Sequence, residues 1–291
     1  MPIIWVFLLV VSIWSTTPLA IQWSTLGASA SFAVASRMFL GLLICVVVLG
    51  LTRRTFCRSR VALANYLYAG LGIFVTMSLV YYAAQRIPSG LISVVFGLTP
   101  IVTGVFALWL LKEAFFVRHK IIGLCSGLSG LLVIFGDGLS LTPDRLPGFL
   151  AVSMAMVFQA FISVKLKQIN VHISAWETTT GALLVSVPLF GLMWWFSEGG
   201  IPPITIKAAI SIGYLALFGS VMGFVSYYWL IKHTSVRVVG MIPLLTPVFA
   251  LLLGSLLNDE SLTSQQLSGI LLVLAGLGYY EYGGKHGKSG G

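Results

Sequence analysis

The chain has 291 residues, 58% of them hydrophobic and only 9% charged, with a mean hydropathy of +1.00 and a net charge of +9. A soluble globular domain carries roughly 25% charged residues, so the composition excludes a water-soluble enzyme or binding module. Apolar runs of about 20 residues, long enough for a helix to cross a bilayer core, recur between short polar stretches.

In chain order the predicted spans are 3–22, 30–51, 62–84, 88–111 and 119–136, then 147–165, 175–196, 206–230, 235–257 and 265–282. The first twenty residues are not read as a signal peptide, because they lack a basic leader and the apolar run continues past Trp14 to Ile21. Cys45 and Cys125 fall inside apolar runs and Cys57 in an Arg-rich loop, a distribution that predicts free thiols. The expectation is an all-α polytopic membrane protein with ten transmembrane helices.

An internal repeat organises these spans. LTPIVTGVFALWLLKE, residues 98–113, returns as LTPVFALLLGSLLNDE, residues 245–260, so Pro100 stands to Glu113 as Pro247 stands to Glu260. Tyr81-Tyr82 and Tyr227-Tyr228 precede the two copies at nearly equal distances, and Gly-rich apolar stretches follow each. The predicted organisation is a first repeat over residues 1–139, a second over 140–284 and a short basic, Gly-rich cytoplasmic tail at 285–291. With five helices per repeat, an odd number, the second repeat must enter the membrane from the opposite side. This inverted-repeat plan is one that secondary transporters use, with the substrate held near the midplane.

The charges orient the bundle. With a cytoplasmic N-terminus, thirteen Lys and Arg residues collect in inside loops, whereas only Arg86, Arg145 and Lys207 lie outside. By the positive-inside rule both termini are cytoplasmic. The basic excess is then a topology signal that meets anionic lipid, and no nucleic-acid partner is expected.

Several residues stand out within the spans. Pro100, Pro243 and Pro247 fall inside predicted helices and are expected hinges, since a proline leaves the carbonyl four residues back without its donor. Pro100 frees Phe96, Pro247 frees Pro243, and Pro243 frees Val239. On the fourth span Ser89, Ser93, Phe96, Pro100 and Thr103 share one face, flanked by Thr99; on the sixth, Ser153, Met156, Gln159, Ala160 and Ser163 form a similar stripe. Small hydroxylated residues are also ordinary packing groups between membrane helices, but a mid-span amide such as Gln159 needs partners at both ends. Trp14 lies near mid-depth beside Ser15 and Pro18, while the other tryptophans fall near span ends as interface anchors. The expected substrate-binding set is Trp14, Ser15, Phe96, Thr99, Thr103, Gln159, Ser163, Tyr227 and Thr246. Arg37, the only basic residue well inside a span, either attracts a carboxylate or ties helices together; it is assigned a structural charge role, as are Glu113 and Glu260.

These residues carry a family resemblance. IWSTTP near the N-terminus, Arg37 within ASRMFLGLL and the paired LTP-x12-E segments make the chain similar, over essentially its whole length, to ten-helix transporters of the drug/metabolite transporter superfamily, EamA type. The chain departs from that pattern at Ser15, where the family usually has Gly, and at Phe158, the counterpart of Trp14. The resemblance implies a bacterial inner-membrane carrier, commonly an exporter of amino acids or related metabolites. It also implies a cavity lined mainly by helices 1, 3, 4, 6, 8 and 9, with helix 2 at the periphery.

An enzyme is not expected: every Asp, Glu and His falls at a span end or in a loop, so no mid-span nucleophile–base pair or metal cluster can be assembled. No cofactor or metal is expected either, and a carboxylate proton relay has no clear seat. The expected partners are a small-molecule substrate and membrane lipid. Gly123-x3-Gly127 and Gly219-x3-Gly223 permit close helix approach, within one chain or in a weak homodimer. The alternatives to an exporter are a channel-like facilitator and an uptake carrier for an amine or sugar.

Overall fold

The computed structural model describes residues 2–52, 56–112, 118–136, 143–257 and 263–282, giving backbone alone for 89–90, 253–257 and 281–282. Glu113, Glu260 and the basic tail lie outside the described residues. The described chain is helical: α1 Ile3–Ser24, α2 Ala30–Leu51, α3 Arg60–Ala84, α4 Ser89–Gly97, α5 Thr99–Leu111, α6 Arg118–Phe135, α7 Leu146–Ile169 and α8 Ala175–Ser197. There follow α9 Ile206–Tyr214, a π-helical stretch Leu215–Met222, α10 Gly223–His233, α11 Val236–Gly240, α12 Ile242–Leu257 and α13 Ser264–Tyr282. Eight of the described helical segments are long and apolar enough to cross a membrane.

Helix starts follow from local chemistry. The hydroxyls of Ser29, Ser59 and Thr205 accept the N–H groups of Phe32, Ala62 and Ala208 at 3.1–3.2 Å, so orphan amides at these N-termini gain acceptors. Ser174 and Glu177 form a reciprocal capping box at α8.

The surface of the bundle is apolar, as a lipid-facing wall requires. α2 turns Phe39, Leu40, Leu43, Val46 and Val47 outward and buries Val34, Arg37, Met38, Gly41 and Cys45. Trp5, Trp23, Trp109 and Trp195 stay exposed near helix ends. Inside, α6 lies against α13, α3 against α7 and α8, and α1 against α9, α10 and α12. The α6–α13 seam depends on glycine: a Cβ on Gly123 would stand 2.5 Å from the Gly276 carbonyl, and one on Gly130 would stand 2.6 Å from that of Gly269. Gly123-x3-Gly127 thus packs within the chain.

Three interruptions depart from the predicted spans. The fourth is divided at Leu98, with Pro100 at the second position of α5, where a missing N–H costs no helical bond. The ninth is divided at Met241, with Pro243 at the equivalent place in α12, whereas Pro247 lies inside α12. The eighth passes through the π-helical turns of residues 215–222.

Candidate functional site

The two Leu-Thr-Pro motifs solve a local problem. Pro100 and Pro247 cannot donate to the carbonyls of Phe96 and Pro243, four residues back, and a carbonyl short of donors is costly away from water. The preceding threonine answers in each case. Thr99 Oγ1 donates to the Phe96 carbonyl, and Thr246 Oγ1 donates to the Pro243 carbonyl at 3.1 Å. Both Thr hydroxyls therefore serve their own backbone.

Between α1, α2, α3, α4, α7, the π-helical stretch, α10 and α12 lies an internal cavity of about 140 Å3. Its walls include Trp14, Phe96, Gln159, Tyr227 and Thr246 from the sequence-derived set, together with Pro243 and Arg37. The remaining members stand behind the wall. Ser15 Oγ donates to the Val11 carbonyl at 2.6 Å, and Ser163 Oγ to the Gln159 carbonyl at 2.8 Å. Thr99 is buried at the α4–α5 break, and Thr103 is buried against Gly240 with its hydroxyl unpartnered. Pro100 and Pro247 are buried away from the cavity lining.

Trp14 and Tyr227 are in contact on the cavity wall, with ring centroids 5.0 Å apart and planes tilted by 37°. The Tyr227 hydroxyl interacts with the side chains of Gln159 and Ser163, so Gln159 has a polar partner inside the bundle. Thr76, Phe224 and Tyr228 also line the cavity, yet nothing in their sequence spacing separates them from core positions. The cavity draws on α2 through Arg37, in addition to the helices the resemblance implied.

Gly219 and Gly223 have a specific use here. The Arg37 guanidinium lies over Gly219, where a Cβ would stand 2.8 Å from Nη2. The Trp14 indole lies over Gly223, where a Cβ would stand 3.0 Å from Nε1. The Gly-x3-Gly pair of the π-helical region thus admits two cavity side chains, a role its spacing alone did not distinguish from helix packing.

The cavity reaches toward one end of the bundle. Ile21 lies one turn from the end of α1, Ala84 closes α3, and Ile92 is near the start of α4. Polar contacts cross the other end. Tyr228 lines the cavity on one side and, on the other, a space of about 10 Å3 bordered by Asn65, Lys167 and Lys232. Beyond it Glu177 accepts the Cys57 N–H at 3.1 Å and the Ser174 N–H at 2.7 Å, and Tyr66 donates to the Cys57 carbonyl at 3.0 Å. Lys232 donates to the Ile173 carbonyl and attracts Glu177 electrostatically. Lys167 donates to the Thr234 carbonyl at 2.9 Å.

A helical membrane bundle, with a cavity at its centre and polar ties across one end, has the form of a membrane transporter. The EamA-like transporter family model matches residues 1–136 and 146–280, and the chain belongs to that family. It is 28% identical to the uncharacterized transporter YoaV of Bacillus subtilis, over 83% of each chain. It is 23% identical to Protein PecM of Dickeya dadantii, over 71% of this chain and 69% of that one. With the uncharacterized inner membrane transporter YedA of Escherichia coli K12 it shares 27% identity, over 69% of this chain and 66% of that protein. A solved crystal structure of another protein superposes with a TM-score of 0.81 over 98% of both chains at 19% identity. The chain is a multi-pass membrane transporter.

Proposed function

We propose that the protein is a secondary carrier that exports small organic metabolites, amino acids or related compounds with an apolar or aromatic part, by alternating access. The observation that supports this reading is the cavity, bounded by Trp14, Tyr227, Phe96 and Gln159 and reaching toward one end of the bundle through Ile21, Ala84 and Ile92. With the N-terminus in the cytoplasm, as the loop charges favour, the tied end is cytoplasmic and the cavity leans outward. Transport then requires release of the ties around Glu177 and Lys232, with bending at the Leu98 and Met241 interruptions and their prolines. Two inverted repeats, residues 1–139 and 140–284, supply the two halves that rock, in the bacterial inner membrane.

Counterflow in proteoliposomes tests this. Labelled amino acids, aromatic metabolites, amines and sugars are screened for uptake driven by the same compound inside. Saturable exchange of one class, lost in Trp14→Ala and Gln159→Ala, is the expected result. Flux that neither saturates nor responds to substrate on the opposite side would replace the carrier with a channel.

A further inference from the structure

Arg37 is 1% exposed, well inside α2, and still borders the cavity. Its Nε donates to Ser220 Oγ at 2.8 Å, and that hydroxyl faces Met38 Sδ at 3.6 Å. Nη1 is buried and has no partner. No carboxylate lines the cavity among the described residues. A guanidinium is a permanent cation with a rigid fork of donors, and a buried charge without a counter-charge is costly in a membrane. A structural role for Arg37 requires partners for the whole fork, and the Ser220 bond supplies only one. That bond fixes the guanidinium and leaves Nη1 without a partner. Thr76 Oγ1, buried and unpartnered, is a second unanswered polar atom on the same wall.

We propose that Arg37 is an anion-binding residue of the cavity, and that the ligand is a compact carboxylate whose body is a single aromatic ring or an apolar group of that size. The inference rests on the cavity being the transport site proposed above, and it narrows the substrate class from amino acids and related compounds to those related compounds that carry a carboxylate and no ammonium group. Nη1 is a charged donor without a partner at this wall, and a guanidinium recognises a carboxylate through charge-assisted hydrogen bonds. The apolar remainder fits the rest of the wall, where Trp14, Tyr227, Phe96 and Phe224 present rings. Size sets the limit: a cavity of about 140 Å3 is close to the roughly 150 Å3 apolar cavity known to hold benzene. A ligand ammonium group meets no acidic partner on this wall, so a simple carboxylate is preferred to a zwitterion or an amine.

The test is saturable binding of labelled benzoate to purified full-length protein in nanodiscs, with benzamide, benzylamine and phenylalanine as competitors, followed by benzoate counterflow. Wild type is expected to bind benzoate at least about tenfold more tightly than neutral benzamide, the scale of a charge-assisted hydrogen bond. Arg37→Gln removes that preference, and Arg37→Lys retains part of it. Gly219→Ala, which crowds Nη2 and leaves the charge, weakens benzoate more than benzamide. The wild-type comparison needs no variant and so does not depend on a substitution that misfolds. Equal affinity for benzoate and benzamide, or no saturable benzoate binding by protein that unfolds cooperatively, overturns the proposal. So does a preference that survives Arg37→Gln. Arg37-dependent binding without counterflow keeps the anion site and removes the carrier reading. Counterflow of other compounds, indifferent to Arg37→Gln, does the reverse.

Discussion

The Thr246 hydroxyl donates at 3.1 Å to the carbonyl of Pro243, the acceptor that Pro247 cannot serve. Thr99 does the same for Phe96 beside Pro100. The recurrent Leu-Thr-Pro motif is thus a proline together with the donor that makes it tolerable. Thr99 provides the cleaner test, because it is buried and does not line the cavity. Thr99→Val keeps the shape and removes the hydroxyl donor from a part-buried carbonyl, at a cost of up to about 1–3 kcal/mol. The expected result is a lower thermal midpoint in detergent, with Thr99→Ser close to wild type. Equal midpoints for the valine and serine variants would mean that the carbonyl has another donor.

Trp14 and Tyr227 belong to opposite halves of the chain, and their ring contact is one place where the halves meet around the cavity. A ring pair of this kind contributes about 0.5–1.5 kcal/mol beyond its buried area. Trp14→Ala and Tyr227→Ala are therefore each expected to lower the apparent affinity of whichever compound exchanges. The double variant should lose less than the sum. Tyr227→Phe keeps the ring and drops the contact with Gln159 and Ser163, so it should fall between wild type and Tyr227→Ala. Strict additivity in this cycle would show that the two rings act independently.

Much of the fold was legible because a membrane imposes a coarse rule on sequence. The predicted spans begin and end within four residues of the corresponding helical stretches, since apolar length and polar punctuation set both. Trp14, Gln159 and Thr246 were legible for the same reason, since a tryptophan or polar group at mid-span depth is exceptional in hydrocarbon, while Phe96 was marked by Pro100 four residues on and Tyr227 by the repeated Tyr-Tyr pair. What escaped depends on the rotation and spacing of neighbouring helices. Arg37 was assigned to a peripheral helix, and its reach to the cavity depends on Gly219, in a π-helical stretch without its own hydropathy signature. Ser15, Thr99 and Ser163 have polar groups at the expected depth, but their hydroxyls bond to backbone carbonyls three or four residues back in the same span. Depth was readable; direction was not.

Glu177 joins the 56–59 segment to the start of α8 by accepting from Cys57 and Ser174 together. Glu177→Ala removes both bonds and the attraction for Lys232. The closed end is expected to open more often. An Asn65→Cys reporter, placed beside the small space beyond Tyr228, should then react faster with a water-soluble thiol reagent added at that end. The reporter is built with Cys57 replaced by Ser, so that its signal stands alone. An unchanged labelling rate would show that the ties of Lys167 and Lys232 hold the end shut without Glu177.

Cys57 itself reports which way the bundle lies in the membrane. It stands in the segment between α2 and α3, where the backbone N–H and then the hydroxyl of Ser59 hold its thiol below the ordinary cysteine range. A larger thiolate fraction at neutral pH makes it the fastest-reacting of the three cysteines. Cys45 is buried within α2, and Cys125 is exposed on α6 within the membrane-spanning length, where a charged reagent does not enter lipid. A membrane-impermeant maleimide is therefore expected to modify only Cys57. Arg58 and Arg60 beside it place this segment in the cytoplasm by the positive-inside rule, so labelling should occur in inside-out vesicles and not in intact cells. The opposite result would invert the bundle. The cavity would then lean toward the cytoplasm, the tied end would face outward, and the outward-facing starting state assigned to the carrier would have to be reversed.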